Sequence, residues 1–148
     1  MGVSLGYYSQ AGMTQAQSQV VEELVAQKNK SYQWWCESIW MSSELTEEDE
    51  LCGSTKLFCM VDDEDTDTYM AFLDIQEIVQ FFQNVARQTG IDWRFEMEGS
   101  PFGAIINGEI DETLETNLTM FLDLFPGDFM ALRAISREEI LNQWKSRI

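Results

Sequence analysis

The chain has 148 residues, 45% of them apolar and 12% aromatic, which is enough for a packed core and argues against intrinsic disorder. It carries 26 acidic residues against 9 basic ones and no histidine, so the formal net charge is −17. A field of this sign repels nucleic acid and anionic membranes, and the absence of histidine excludes Ser–His and Cys–His nucleophile pairs.

The negative charge is concentrated in the middle of the chain. Residues 31–131 contain 22 acids and 3 bases, a net charge of −19, whereas residues 1–30 balance to zero and residues 132–148 come to +2. A field concentrated in this way attracts basic partners and accelerates their association. The sequence therefore predicts a basic protein as partner and no direct binding of nucleic acid.

The cysteines and the N-terminus indicate a reducing compartment. Cys36, Cys52 and Cys59 form an odd set without a Cys-x-x-Cys pair, so we expect free thiols, with no disulfide framework and no zinc site. Met1 is not followed by a basic segment and an apolar run, and the longest uninterrupted apolar stretches have about five residues. We expect one cytoplasmic domain over residues 1–148, with no cofactor.

The first elements follow from the apolar pattern. The short run from Val3 to Tyr8 predicts a strand, and the helical spacing that follows predicts a helix from Thr14 to Asn29. The predicted buried stripe of that helix comprises Val20, Val21, Leu24 and Val25.

The aromatic segment from Ser31 to Met41 is predicted to form a strand because aromatic residues favour strands. Alternation places Tyr32, Trp34, Cys36 and Trp40 on one face. Trp35 lies on the other face with Gln33 and Glu37, so we predict that Trp35 is the exposed ring and a candidate apolar anchor for a partner. The alternative is that most of these rings belong to the core.

Two acidic runs are predicted to be loops. The first is Glu44–Glu50, and the second is Asp62–Asp67 at the tip of a hairpin formed by strands Thr55–Val61 and Tyr69–Leu73. The functional interpretation is docking onto a basic surface, and the alternative is that the runs serve only solubility. The candidate contact residues are Glu47, Glu48, Asp49, Glu50, Asp62, Asp63, Asp65 and Asp67.

The second acidic run also has part of the spacing of an EF-hand calcium loop. Asp63, Asp65, Asp67 and Asp74 occupy the first, third, fifth and twelfth positions. The pattern departs from the motif at Thr68, where a sharp turn needs glycine, and at Asp74, where a bidentate glutamate is usual. These four residues are therefore weak candidates for metal ligands.

The next segments have clearer local signals. Asp74 is predicted to be the N-cap of a helix that ends near Arg87, with Gly90 just beyond its C-terminus. Strict alternation predicts a half-buried strand over Ile91–Glu98. Glu96 and Glu98 lie on its polar face with Cα atoms about 7 Å apart, a spacing that resembles the carboxylate pair of inverting glycosidases.

The last part of the chain is predicted to contain one strand and two helices. A turn at 99–103 precedes a partner strand over Ala104–Asn107, one helix starts after Asp111, and the last starts at Ser136 with Glu139 in a capping box. Clustered strands indicate an α+β domain, in which a mostly antiparallel sheet of about five or six strands is covered by three or four helices. The predicted order is β-α-β-β-β-α-β-β-α-α.

These observations leave three hypotheses open. The leading one is a non-enzymatic module that binds a basic protein, and in acidity and size the chain resembles bacterial immunity proteins and DNA-mimic inhibitors, although no motif carries that resemblance. The second is a calcium- or small-ligand-binding protein that uses the Asp63–Asp74 loop or the Glu96/Glu98 pair. The third is a structural subunit of a larger assembly.

Overall fold

A computed structural model describes residues 3–57 and 65–123, with the backbone alone described for 65–70 and 121–123. The elements in chain order are β1 (Val3–Ser9), α1 (Gln15–Ser31), β2 (Trp40–Met41), β3 (Cys52–Leu57), α2 (Asp65–Thr89), β4 (Trp93–Met97), β5 (Ser100–Ile106), β6 (Glu109–Ile110) and α3 (Glu112–Asp123). The strands form one antiparallel sheet in the order β2-β3-β1-β4-β5-β6. The predicted α+β class is confirmed.

The sheet is buried on one face and open on the other. Leu5 and Tyr7 of β1 are fully buried, whereas the residues between and beside them are accessible. The same alternation holds in β3 and β4, where Thr55 and Phe95 are buried while Lys56 and Arg94 are exposed. Because successive side chains of a strand point to opposite faces, the helices of residues 3–57 and 65–123 pack their apolar residues against one side of the sheet.

The core is centred on Phe82 in the middle of α2. Its ring lies 4.8 Å from the ring of Tyr7, 4.6 Å from Trp93 and 5.7 Å from Phe95, measured between centroids. These tilted and edge-on geometries are the ones that aromatic pairs prefer. The α2 helix is thereby packed against the two central strands, β1 and β4.

The predicted position of helix α1 is confirmed, and side-chain hydrogen bonds cap its N-terminus. The Thr14 hydroxyl accepts a hydrogen bond from the backbone N–H of Gln17, and the Gln17 side chain accepts one from the N–H of Thr14. This capping box satisfies donors that the helix itself leaves unpaired. Of the predicted stripe, Val21 and Val25 are buried, whereas Val20 is 44% exposed.

The segment predicted as a strand over Tyr69–Leu73 is helical, so the hairpin with Thr55–Val61 is wrong. Helix α2 begins at Asp65, nine residues before the predicted N-cap at Asp74. Ala71, Phe72 and Ile75 are all buried, at a spacing typical of a helix. A short apolar run such as residues 69–73 does not by itself distinguish a strand from a helix. Strand β3 pairs with β1 and β2 instead.

The long strand predicted over Ser31–Met41 is also wrong, since only Trp40 and Met41 join the sheet. Helix α1 continues to Ser31, and the next residues form a loop. Two polar side chains hold this loop: Asn29 bonds the backbone N–H and C=O of Ile39, and Asp74 accepts from the loop's N–H groups. Side-chain bonds therefore replace the strand ladder that aromatic propensity predicts.

The remaining elements are close to prediction, with one strand missed. The turn between β4 and β5 has Glu98 and Gly99 at positive φ, so β5 starts at Ser100 rather than at Ala104. A second such turn at Asn107 and Gly108 leads into β6, which was not predicted. Two-residue turns with positive φ match the twist of antiparallel strands.

Helix α3 starts after Asp111, as predicted. The Asp111 carboxylate accepts hydrogen bonds from the N–H groups of Ala104 and Leu114, so one side chain caps the helix and ties it to β5. The described residues do not include the helix predicted to start at Ser136. They also do not include Asp62 and Asp63 of the second acidic run. No helix in residues 3–57 or 65–123 is long and apolar enough to cross a membrane.

Candidate functional site

The first acidic run forms the loop of a hairpin that joins β2 to β3. Within it, the N–H of Asp49 donates to the carbonyl of Thr46, and the N–H of Thr46 donates to the carbonyl of Glu50. The Thr46 hydroxyl also accepts from the N–H of Glu50, and Asp49 has a φ of 59°. The predicted loop is confirmed, and its backbone follows a defined path.

This loop is also tied to the segment between β1 and α1. The carbonyls of Glu48 and Asp49 accept hydrogen bonds from the N–H groups of Gly12 and Met13, at 3.2 and 2.9 Å. Just after it, the backbone of the buried Leu51 exchanges two bonds of 2.8 Å with Ser9. The backbone of the loop is therefore held by hydrogen bonds to Ser9, Gly12 and Met13 rather than by contacts among its acidic side chains.

The side chains of the loop point into solvent. Glu47, Glu48 and Asp49 are exposed, whereas Glu50 is half-buried and lies 3.6 Å from the guanidinium of Arg94. Three exposed carboxylates are thus presented side by side, and Glu50 contributes to the contact with β4. The structure brings the first of the two predicted acidic groups together.

The second predicted group does not form a loop throughout. Asp65 and Asp67 lie in the first turn of α2, and the predicted tip is wrong at both positions. Because the chain from Asp65 to Asp74 is helical, it cannot wrap around one cation as an EF-hand loop does. Among residues 3–57 and 71–120, whose side chains the structure describes, no group of three or more acidic or cysteine side chains is arranged to hold a metal ion.

Asp74 is fully buried inside α2 and has a structural position instead. Its two carboxylate oxygens accept from the N–H of Trp35 at 3.1 Å and from the N–H of Cys36 at 2.8 Å. The hydroxyl of Tyr32 is 3.4 Å from the same carboxylate. This side chain fastens the aromatic loop to the helix layer, and Trp35 is half-buried there rather than exposed as predicted.

The Glu96/Glu98 pair is not a pair of equivalent carboxylates. Glu96 lies on the open face of β4, whereas Glu98 follows the strand, in the turn with positive φ. The Glu98 carboxylate accepts a 2.7 Å hydrogen bond from the N–H of Ser4, and its own N–H donates to the Ser4 carbonyl. Glu98 therefore closes the end of the β1–β4 pair.

The edge strand β2 is anchored from the core by Tyr7. The Tyr7 hydroxyl donates to the Trp40 carbonyl at 2.7 Å, accepts from the Trp40 N–H at 3.0 Å and lies 3.0 Å from the Thr55 hydroxyl. The ring reaches past β3 at Gly53, where a Cβ would collide with both the Trp40 carbonyl and the Tyr7 ring. Glycine at this position is what allows the core to hold the edge strand.

We expect Tyr7→Phe to lower stability and to change its dependence on alkaline pH. Loss of the hydroxyl removes three partners and is expected to lower the free energy of unfolding by about 2 kcal/mol at neutral pH. Burial raises the pKa of Tyr7 above its usual 10.0, despite the opposing hydrogen bonds to Thr55 and Trp40. The wild-type protein should then lose up to about 1.4 kcal/mol per pH unit above pH 10 through this group.

Rising pH destabilises the folded protein because Tyr7 releases its proton more readily in the unfolded chain. Above pH 10 the unfolded chain releases the phenolic proton while the folded chain keeps it, so rising pH favours unfolding. Urea unfolding of the wild-type protein and of Tyr7→Phe between pH 8 and about 11 checks this. We expect the difference in their free energies of unfolding to narrow above pH 10. A constant difference across that range would contradict the assignment.

The most exposed tryptophan of the described residues is Trp40, which sequence reasoning did not select. It is 60% exposed and lies opposite Ser54 in the β2–β3 pair, on the open face of the sheet. Its hairpin also carries the acidic loop, so an aromatic ring and the three exposed carboxylates share one element. Alternation alone grouped Trp40 with Tyr32 and Trp34 and gave no signal that only Trp40 joins the sheet.

Comparison with known proteins adds no functional information to this geometry. No protein-family model, no curated protein sequence and no solved structure has significant similarity to the chain.

Proposed function

We propose that this protein is a non-enzymatic binding module for a basic partner protein, with the loop Glu44–Glu50 as its steering surface. The observation that supports the proposal is the fixed path of the loop, whose carbonyls are bonded to Gly12 and Met13. A loop that is already ordered loses little conformational entropy when it binds. Exposed carboxylates on such a loop attract a basic surface and orient it during encounter.

The rest of the charge distribution supports the same partner chemistry. Residues 31–131 carry 22 acids and 3 bases, so the loop belongs to a segment of large negative charge. Asp62, Asp63, Asp65 and Asp67 remain part of the proposed contact surface as a prediction. A protein in this class acts by occupying a basic surface, so no group on it needs to be a catalytic residue.

The alternative of a calcium- or small-ligand-binding protein has less support. The helical path from Asp65 separates the proposed calcium ligands, and the carboxylate of Asp74 is engaged by backbone N–H groups. The Glu98 carboxylate is likewise engaged by Ser4.

The steering role is tested by neutralising the loop. The basic partner would first be isolated by affinity capture from native lysate, with washes at about 0.05 M and 0.5 M salt, since exposed charge contacts are screened over this range. For the variant Glu47→Gln/Glu48→Gln/Asp49→Asn, we expect the association rate at low salt to fall about tenfold, with a flatter salt dependence. Stopped-flow or surface-plasmon measurements give the association rate at each salt concentration.

A charge-matched control separates steering from net charge. The variant Glu22→Gln/Glu23→Gln/Glu112→Gln removes the same charge from exposed positions on α1 and α3. We expect it to reduce the association rate much less than the loop variant does. Equal reductions by both variants, or none by the loop variant, would show that the loop has no specific role.

A further inference from the structure

We infer that the open sheet face beside Trp40 is where the basic partner buries an apolar side chain. The inference rests on the proposed function and adds to it: the acidic loop would govern encounter, and this face would supply the burial that retains the partner. It replaces Trp35 by Trp40 as the apolar anchor.

The geometry of the face provides a place for such a side chain. Across the sheet, Trp40 lies opposite Ser54, and Ser54 lies opposite Gly6. With strands about 4.8 Å apart, the Cα atoms of Trp40 and Gly6 are about 10 Å apart, and only the small Ser54 lies between them. The ring of Tyr8 covers Gly6, since its atoms lie 3.1–3.4 Å from where a Cβ of Gly6 would be. Trp40 and the Tyr8 ring therefore lie on either side of Ser54 on the open face, and we call the strip over Ser54 between them the slot.

The local charge of this face differs from the net charge of −17 of the whole chain. Lys56 and Arg94, two of the three bases in residues 31–131, both lie on it. Arg94 is 5.0 Å from the Tyr8 ring centroid and pairs with Glu50, and Glu96 lies on the same face as a counter-charge. The slot is thus close to neutral within an acidic protein, which favours an uncharged, apolar group there.

The slot is rigidly positioned relative to the acidic loop. Both backbone polar groups of Trp40 are bonded to the Tyr7 hydroxyl in the core, so the exposed ring stands on a fixed support. The same hairpin continues from Met41 into the loop. A partner surface that presents one apolar side chain with lysines or arginines beside it is complementary to this arrangement, since the apolar side chain meets the near-neutral slot and the bases meet the exposed carboxylates of the loop.

Two synthetic peptides test the inference without the natural partner. The first is a short lysine–serine repeat with one central phenylalanine, and the second has serine at that position and the same charge. We expect the phenylalanine peptide to bind the wild-type protein more tightly at low salt, and Trp40→Ala to abolish that advantage, a loss of about tenfold. The lysine–serine peptide should bind both proteins equally. Calorimetry gives the affinities.

A second variant and a control make the test independent of folding defects. Ser54→Gln fills the slot while keeping Trp40, and we expect it to reduce the phenylalanine advantage as well. Val20→Ala removes a comparably exposed apolar side chain from α1 and should change nothing. If Trp40→Ala and Ser54→Gln both retain the full advantage, or if Val20→Ala loses it equally, the inference is overturned.

The outcome for the acidic loop is read separately. Glu47→Gln/Glu48→Gln/Asp49→Asn should weaken both peptides by the same factor and leave the phenylalanine advantage intact. If this variant binds both peptides as tightly as the wild-type protein does, the steering role proposed for the loop fails. A phenylalanine advantage that depends on Trp40 would then still locate the anchoring surface.

Discussion

Asp74→Ala is expected to lower the free energy of unfolding by about 3 kcal/mol. The wild-type carboxylate is fully buried and accepts from the N–H groups of Trp35 and Cys36, and the alanine variant loses both bonds. A hydrogen bond to a charged group contributes about 1.5–3 kcal/mol. Urea unfolding followed by tryptophan fluorescence measures the loss.

Two further variants show whether the hydrogen bonds are responsible. Asp74→Asn keeps one acceptor oxygen, so we expect about half of the loss. Glu77→Ala removes an acid from the next turn of α2, where it forms a 2.8 Å ion pair with Lys28 and is about one quarter exposed, and should cost less than about 1 kcal/mol. A loss for Glu77→Ala as large as that for Asp74→Ala would attribute the effect to α2 charge in general.

Phe82→Ala is expected to lower the free energy of unfolding by about 3–5 kcal/mol. The ring is fully buried and contacts Tyr7, Trp93 and Phe95 from the two central strands. Its removal leaves a cavity that these rings cannot fill without leaving their rotamers, so the transfer and cavity contributions add. Urea unfolding monitored by circular dichroism measures the loss.

Phe82→Leu is the matched variant, since it keeps most of the apolar volume and loses only the ring contacts. We expect a loss of about 1–2 kcal/mol for it. Phe81→Leu, one residue earlier on the same helix and 7% exposed, should cost no more than that. If Phe82→Ala cost no more than Phe81→Leu, Phe82 would not be the centre of the core.

Phe82 and Asp74 stabilise different parts of the fold. Phe82 packs α2 against β1 and β4, and Asp74 fastens the 32–39 loop to α2. The proposed binding surface lies on the β2–β3 hairpin and contains neither residue, but Asp74 holds the loop that leads into Trp40, and Phe82 contacts Tyr7, which bonds Trp40. Binding variants on the hairpin should therefore be compared at the same folded fraction as the wild-type protein.

Much of the candidate site was visible in the sequence, although its anchor was not. Glu47, Glu48 and Asp49 were predicted as an exposed loop, because five acids in seven residues cannot be buried together. Trp35 and Trp40 could not be ranked, since exposure depends on which of them enters the sheet. That choice is made by Asn29 and Asp74, whose hydrogen bonds hold residues 32–39 out of the ladder.

The sequence by itself determined the elements whose own periodicity and caps specify them. These are β1, α1, the alternation of β4, the end of α2 at Gly90, the start of α3 at Asp111, and the α+β class. Each rests on interactions within about one turn or one strand, which local spacing reports directly.

Only the tertiary structure decided where short apolar runs went. Residues 69–73 are compatible with a strand or a helix, and the continuous packing of α2 across the sheet selects the helix. Asp74 has the appearance of a cap in the sequence, yet its partners are Trp35 and Cys36, nearly forty residues away. Contacts at that separation leave no local pattern, and for this reason the buried role of Asp74 and the exposure of Trp40 emerge only when the chain is folded.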